Sequence, residues 1–126
     1  MDKELNEKLA RWAGFTYVKH SRTTYWRFVP KGTSQGYEVY GSRWVTPDGK
    51  AAWTDAPKFN QSLDDCFGWL VPKIEALSHL EFYQVEGRWE VLLHYWGKHR
   101  THFFDGSAET PALALCKAIE QYIDQQ

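Results

Sequence analysis

Three extended runs joined by two very short connections dominate the second half of this chain. "LEFYQV" (80 to 85), "RWEVLLHYW" (88 to 96) and "HRTHFFD" (99 to 105) are rich in aromatic and branched residues. Glu86-Gly87 and Gly97-Lys98 separate them. A connection of two residues can only join antiparallel neighbours, because a parallel crossover needs a dozen residues or more. Around Gly97-Lys98 the hairpin places Tyr95 opposite Arg100. Alternation then puts Trp89, Val91, Leu93, Tyr95, Arg100, His102 and Phe104 on one face, and His94, Trp96, His99, Thr101 and Phe103 on the other.

Helical patterns flank these runs. Leu5, Leu9, Trp12 and Ala13 form a stripe ended by Gly14, a glycine in the C-cap position. Ser62 caps a second helix, with Asp64 and Asp65 at the positive end of its dipole. Leu63, Phe67, Leu70, Val71 and Ile74 are its buried stripe, and Pro72 predicts a kink or break. Thr110 caps a third helix with Pro111 at its first position, turning Leu113, Cys116, Ile119 and Tyr122 or Ile123 inward. Before the second helix, "FTYVKH" and "TYWRFVP" are β-rich runs separated by "SRT", with Pro30-Lys31-Gly32 closing the second. "TSQG" reads as a loop, and Pro47-Asp48-Gly49 as a turn between further extended segments. The order α, β-rich, α, three β, α gives one α+β domain over 1–126: helices packed against a mainly antiparallel sheet, an α/β/α sandwich.

The net charge of −1 gives no global field toward nucleic acid or anionic lipid, so long nucleic acid is disfavoured as a partner. Between Phe15 and Thr46, however, Lys19, Arg22, Arg27, Lys31 and Arg43 face Glu38 alone. Such a local basic patch suits a small anion. The charged start and the lack of a long apolar run predict no signal peptide, no membrane span and a cytoplasmic protein. Cys66 and Cys116, on apolar helix faces, are expected to be reduced core residues.

Seven tryptophans, seven tyrosines and seven phenylalanines exceed what one core easily hides. The surplus points to an interface or a ligand pocket, and to a homo-oligomer. "YWRF", "RW" and "YWGKHR" each combine guanidinium forks or ammonium groups with rings, the two chemistries that hold a phosphate and stack on a base. The candidate ligand-binding residues are therefore Trp26, Arg27, Arg43, Trp44, Trp96 and Arg100. A metal site is not expected: His99 and His102 fall on opposite faces, and neither has a cluster of further ligands. Catalysis is not expected either. His94 or His102 could act as a base, but no nucleophile elbow or phosphate loop accompanies them. No cofactor is implied.

"SLDDCFGWLVPKIEAL" (62 to 77) and "AETPALALCKAIEQYID" (108 to 124) resemble the phage ABA-sandwich domain, a family of small bacteriophage and prophage accessory proteins. "LARWAGF" (9 to 15) and "VTPDGK" (45 to 50) occupy the expected places beside them, while Tyr17 to Val39 matches no family pattern. The resemblance implies a helix–sheet–helix sandwich in an infected bacterial cell, and no catalytic residues. It makes anti-defence the expected role: sequestration of a nucleotide-derived immune signal such as a cyclic ADP-ribose isomer or cyclic oligonucleotide. The alternative is protein–protein inhibition of a host defence factor.

Overall fold

A computed structural model describes the backbone of residues 2–29 and 33–126, and the side chains of residues 2–18 and 43–126. The fold is a small α+β domain, as the order of elements predicts. Its strands divide between two three-stranded antiparallel sheets. The chain forms two compact units, Met1–Ala13 with Ala56–Gln126, and Gly14–Asp55.

The first unit contains α1 (Asp2–Ala13), a 3-10 turn (Phe59–Gln61) and a short helix α2 (Leu63–Asp65). Strands β4 (Leu77–Val85), β5 (Arg88–Gly97) and β6 (Arg100–Ala108) follow, and then α3 (Pro111–Asp124). Gly14 ends α1 at φ +102°, the left-handed conformation its C-cap position requires. Leu9, Ala10 and Ala13 are buried on the inner side of α1, and so is Asn6. The Asn6 amide donates to Asn60 Oδ1 (2.7 Å), and Asn6 Oδ1 accepts from the Asn60 backbone N–H (3.0 Å). This reciprocal pair satisfies buried polar groups and ties α1 to the 3-10 turn.

Ser62 caps α2 as expected, accepting from the Asp65 N–H at 3.1 Å. The helix then widens into a π turn (Cys66–Leu70) and tightens into a 3-10 turn (Val71–Lys73). Pro72, which has no N–H, sits where α-helical bonding stops. The expected stripe changes with it. Cys66, Leu70 and Ile74 are buried, but Phe67 is turned out to solvent and rests its ring near Phe82, 6.2 Å between centroids. The wider π turn rotates position 67 away from the face that regular α geometry gives it.

Thr110 Oγ1 accepts from the Leu113 N–H at 3.3 Å with Pro111 at the first helical position, the expected start of α3. Its buried arc is broader than one stripe: Ala112, Ala114, Leu115, Cys116, Ala118, Ile119 and Tyr122. Leu113, expected inward, is only half-buried, and of the alternatives Tyr122 and Ile123 it is Tyr122 that turns inward. α3 packs on β5 and β6 and also on α1 and the 3-10 turn, which spreads its buried arc beyond a single stripe while Lys117, Gln121 and Asp124 stay exposed. Against the sheet, α3 comes down on Gly106. A Cβ there would collide with the Ala114 carbonyl oxygen and lie 2.7 Å from the Ala118 nitrogen. Side chains of α3 also cover the outer edge of β6: Gln121 donates to the Asp105 carbonyl (2.6 Å) and Lys117 to that of Ser107 (3.3 Å).

In the second unit β1 (Thr16–Val29), β2 (Thr33–Val45) and β3 (Ala52–Trp53) pair in that order. The runs expected as two strands around "SRT" are one strand, with a register shift between Val18 and Ser21. "TSQG" is not a loop but the start of β2: Gln35 pairs with Arg27 and Gly36 with Trp26. Cross-strand pairing overrides the local turn preference of Ser and Gly. Pro30-Lys31-Gly32 lies outside the described residues. The Pro47-Asp48-Gly49 turn is present, with Gly49 at φ +73°. Asp48 Oδ1 accepts from Thr46 Oγ1 (2.6 Å) and the Lys50 N–H (2.9 Å), which hold its carboxyl below the ordinary carboxylate value.

Cys66 and Cys116 are both free and fully buried, with sulfurs 3.7 Å apart. Cys66 Sγ lies 3.2 Å from the Phe59 carbonyl, which can only accept, so the Cys66 thiol is the donor. The Cys116 thiol therefore donates to Cys66 Sγ. That bond, with burial, pushes the Cys116 pKa up.

Two outcomes follow from this packing. Gly106→Ala destabilises the fold by about 3 kcal/mol, since the added methyl meets helix backbone that cannot swing aside; urea unfolding measures it. At Cys116 the folded state holds a proton that the unfolded chain releases above the ordinary thiol pKa of about 8.5. Stability is then complete below that pH and falls as pH rises beyond it. Thermal melts between neutral and alkaline pH read the slope, which Cys116→Ala removes. Melts at neutral pH are unchanged by dithiothreitol.

Candidate ligand cleft at the β5–β6 turn

The β5–β6 hairpin closes through Lys98-His99, one residue later than the sequence suggests. Both residues have positive φ, +49° and +68°, the type I′ shape that Asn-Gly normally fills. Gly97 pairs with Arg100, and Tyr95 pairs with His102 instead of Arg100. The register is displaced by two residues, so side-chain parity survives. Val91, Leu93, Tyr95, His102 and Phe104 share the face covered by α3, and His94, Trp96, Thr101 and Phe103 share the other. His99 belongs to neither, because it is in the turn.

On the covered face the rings form a continuous set. Tyr95 stacks against His102 (5.1 Å, 16°) and Phe104 (5.9 Å, 18°). Tyr122 from α3 meets Tyr95 edge-on at 4.9 Å, and Trp12 meets Tyr122 edge-on at 6.0 Å. His102 Nε2 is 2.8 Å from the Gly97 carbonyl, which can only accept. Nε2 therefore carries the proton, and in the neutral ring Nδ1 is left as an acceptor.

Where this set meets the turn, a cleft of about 790 Å³ opens, within the range of small-molecule sites. Tyr95, Trp96, Lys98, Arg100 and His102 line it from the hairpin, and Glu75, Tyr122 and Gln125 from elsewhere in the chain. Lys98 and Arg100 set two positive charges against one negative charge from Glu75. The C-terminal end of α3, with its partly negative carbonyls, forms the opposite wall. An anion is favoured on the turn side, and a neutral, hydrogen-bonding or stacking group on the helix side.

Of the six candidate residues, Trp96 and Arg100 line this one cleft. Trp96 is 56% exposed. Arg43 and Trp44 belong to the Gly14–Asp55 unit. Arg43 is half-buried, whereas Trp44 is a core side chain, 3% exposed and packed on Tyr17 with ring centroids 5.0 Å apart. The side chains of Trp26 and Arg27 lie outside the described residues. Glu75, Tyr122 and Gln125 carry no sequence signal for the cleft, because nothing local tells that the end of α3 reaches the hairpin tip. On the open face of the sheet His79 contacts Glu81 at 3.2 Å and stands edge-on to His94, whose ring lies 5.9 Å from Phe103. Among the described residues no three His, Cys, Asp or Glu side chains cluster as metal ligands do.

Two bulky residues held in left-handed backbone at the mouth of a cleft store conformational strain. Lys98→Asn with His99→Gly relieves it and raises stability by about 1 kcal/mol, measured by urea unfolding. No protein-family model, no curated protein and no solved structure matches this chain, so its function is read from the side chains themselves.

Proposed function

We propose that this protein binds without catalysing, and that the cleft at the β5–β6 turn takes a small anionic ligand bearing a flat ring. The observation that carries this reading is the meeting of Lys98 and Arg100 with Trp96, Tyr95 and His102 around one cleft. A hydrogen bond to a charged group contributes about 1.5–3 kcal/mol, and a base stacked on an aromatic side chain about 1–3 kcal/mol. Two cations and two rings together support micromolar binding or better, about −8 kcal/mol, after association costs. With the resemblance of α2 and α3 to phage accessory proteins, the biological reading is anti-defence. The ligand is then a nucleotide-derived immune signal, a cyclic ADP-ribose isomer or a cyclic oligonucleotide, held away from its receptor. Its phosphates face the turn and its ring faces Tyr95 and the end of α3.

A second reading is direct inhibition of a host defence factor. Phe103, 68% exposed beside Trp96, favours it, since rings left in water on a sheet face suit a macromolecular partner. Among the described residues no helix is long and apolar enough to cross a membrane, and a membrane role is not proposed.

Calorimetric titration separates the two readings. Cyclic dinucleotides, cyclic trinucleotides and cyclic ADP-ribose isomers are titrated into wild type, Arg100→Ala and Asp64→Ala. At least one binds wild type, Arg100→Ala weakens it about tenfold or more with an unchanged melting temperature, and Asp64→Ala leaves it unaltered. If none binds below about 10 µM the small-ligand reading fails.

A further inference from the structure

Among the described residues, Glu75 is the single carboxylate side chain lining the cleft at the β5–β6 turn. Its place is fixed by its neighbours. Ile74 before it is buried, and the Ala76 carbonyl after it accepts from the Trp96 N–H at 3.0 Å. The turn that carries Glu75 is thereby fastened to β5. On the other side of β5, Trp96 pairs with Thr101 of β6, the residue after Arg100. Ala76, Trp96 and Thr101 thus form one row across three neighbouring segments, and at about 4.8 Å per step it spans about 10 Å. Glu75 is attached next to one end of that row and Arg100 next to the other, with β5 between them.

Glu75, Lys98 and Arg100 are exposed, and among the described residues none of their charged groups has a hydrogen bond or ion pair. Both signs of charge are therefore uncommitted, on opposite sides of one cleft. A ligand that satisfies both sides is anionic at one end and a hydrogen-bond donor at the other. A phosphate with no donor edge leaves Glu75 facing an anion, and a plain cation leaves Lys98 and Arg100 unmatched.

We propose that Glu75 makes the cleft selective for guanine among the flat rings it takes, an inference that rests on the small-ligand reading of this cleft. An ionised carboxylate only accepts, through two oxygens side by side. Guanine is the common base with two adjacent donors on one edge, N1–H and the 2-amino group. These meet the two oxygens in parallel, as the fork of a guanidinium does. Adenine sets its 6-amino donor beside the acceptor N1, and cytosine its 4-amino donor beside the acceptor N3. In both, the ring nitrogen's lone pair opposes the second carboxylate oxygen. Uracil and thymine hold a single N–H between two carbonyls. With the ring against Tyr95 and the end of α3, a guanine turns its donor edge to Glu75 while its phosphate reaches Arg100 and Lys98.

Calorimetric titration of the full chain with guanosine, inosine and adenosine 5′-monophosphates tests this. Wild type binds the guanine nucleotide about tenfold or more tighter than the adenine nucleotide, which leaves the carboxylate unpaired. The inosine nucleotide lacks only the 2-amino group and falls between them. Glu75→Gln removes a negative charge and strengthens all three, so the readout is the ratio of affinities. Its amide sets a donor beside an acceptor, the match to adenine's edge, and the guanine preference falls to parity or reverses. The melting temperature is unchanged, because the side chain is exposed and bonds to nothing. Equal affinities in wild type, or a guanine preference kept by Glu75→Gln, overturn the proposal and leave the small-ligand reading standing. Failure of all three nucleotides to bind overturns it too. The small-ligand reading falls with it only if the cyclic nucleotides and cyclic ADP-ribose isomers fail as well.

Discussion

The approach of α3 to Gly106 governs how the first unit is assembled. Where a side chain would ordinarily hold helix and sheet about 10 Å apart, a bare Cα in β6 lets the backbone of Ala114 and Ala118 settle directly on the strand. That depth of seating is what buries Val91 and Leu93 beneath α3 and sets Leu115 and Ile119 in the fully buried core. It also brings Lys117 and Gln121 within reach of the strand's outer carbonyls, and carries Tyr122 to the ring of Tyr95. Seat the helix higher and the inner wall of the cleft moves away from the hairpin.

Features with a local physical cause were legible in the sequence. The Ser62 and Thr110 caps, the Gly14 terminus, the Glu86-Gly87 and Pro47–Gly49 turns and the disruption at Pro72 each depend on a few adjacent residues. Alternation along β5 assigned its faces correctly even though the hairpin register was displaced, because a shift of two preserves parity. What was not legible depends on distant partners. Asn6 and Asn60 look like surface residues until each supplies the other's hydrogen bonds inside the core. Gly106 gives no sign of the helix above it. "TSQG" and "SRT" carry loop-forming residues, yet the opposite strand recruits them into pairing.

The candidate site divides along the same line. Trp96 and Arg100 stand close in sequence on one hairpin and reach one cleft, so proximity in sequence sufficed. Trp44 is suggested by an aromatic–arginine neighbour pair, but alternation sends those two side chains to opposite faces, and the tryptophan becomes core. A neighbour pair on a strand is weak grounds for a shared pocket. Rings across a hairpin, such as Tyr95 and His102, are stronger grounds, because cross-strand partners share a face.

The Asn6–Asn60 pair also has a kinetic side. Its members are 54 residues apart, and most of the intervening chain is the Gly14–Asp55 unit. Closing an open loop of that length carries an entropic penalty that grows by about 0.6 kcal/mol with each doubling. Once β1 pairs with β2, Thr16 is held beside Val45 and most of the loop no longer counts as free chain. The long ribbon then acts as a splint: once zipped, it shortens the free chain that must be closed to bring α1 to the 3-10 turn. A slow step in folding would lie in that zipping, while the packing of α3 on its sheet, built from neighbours in sequence, runs ahead of it.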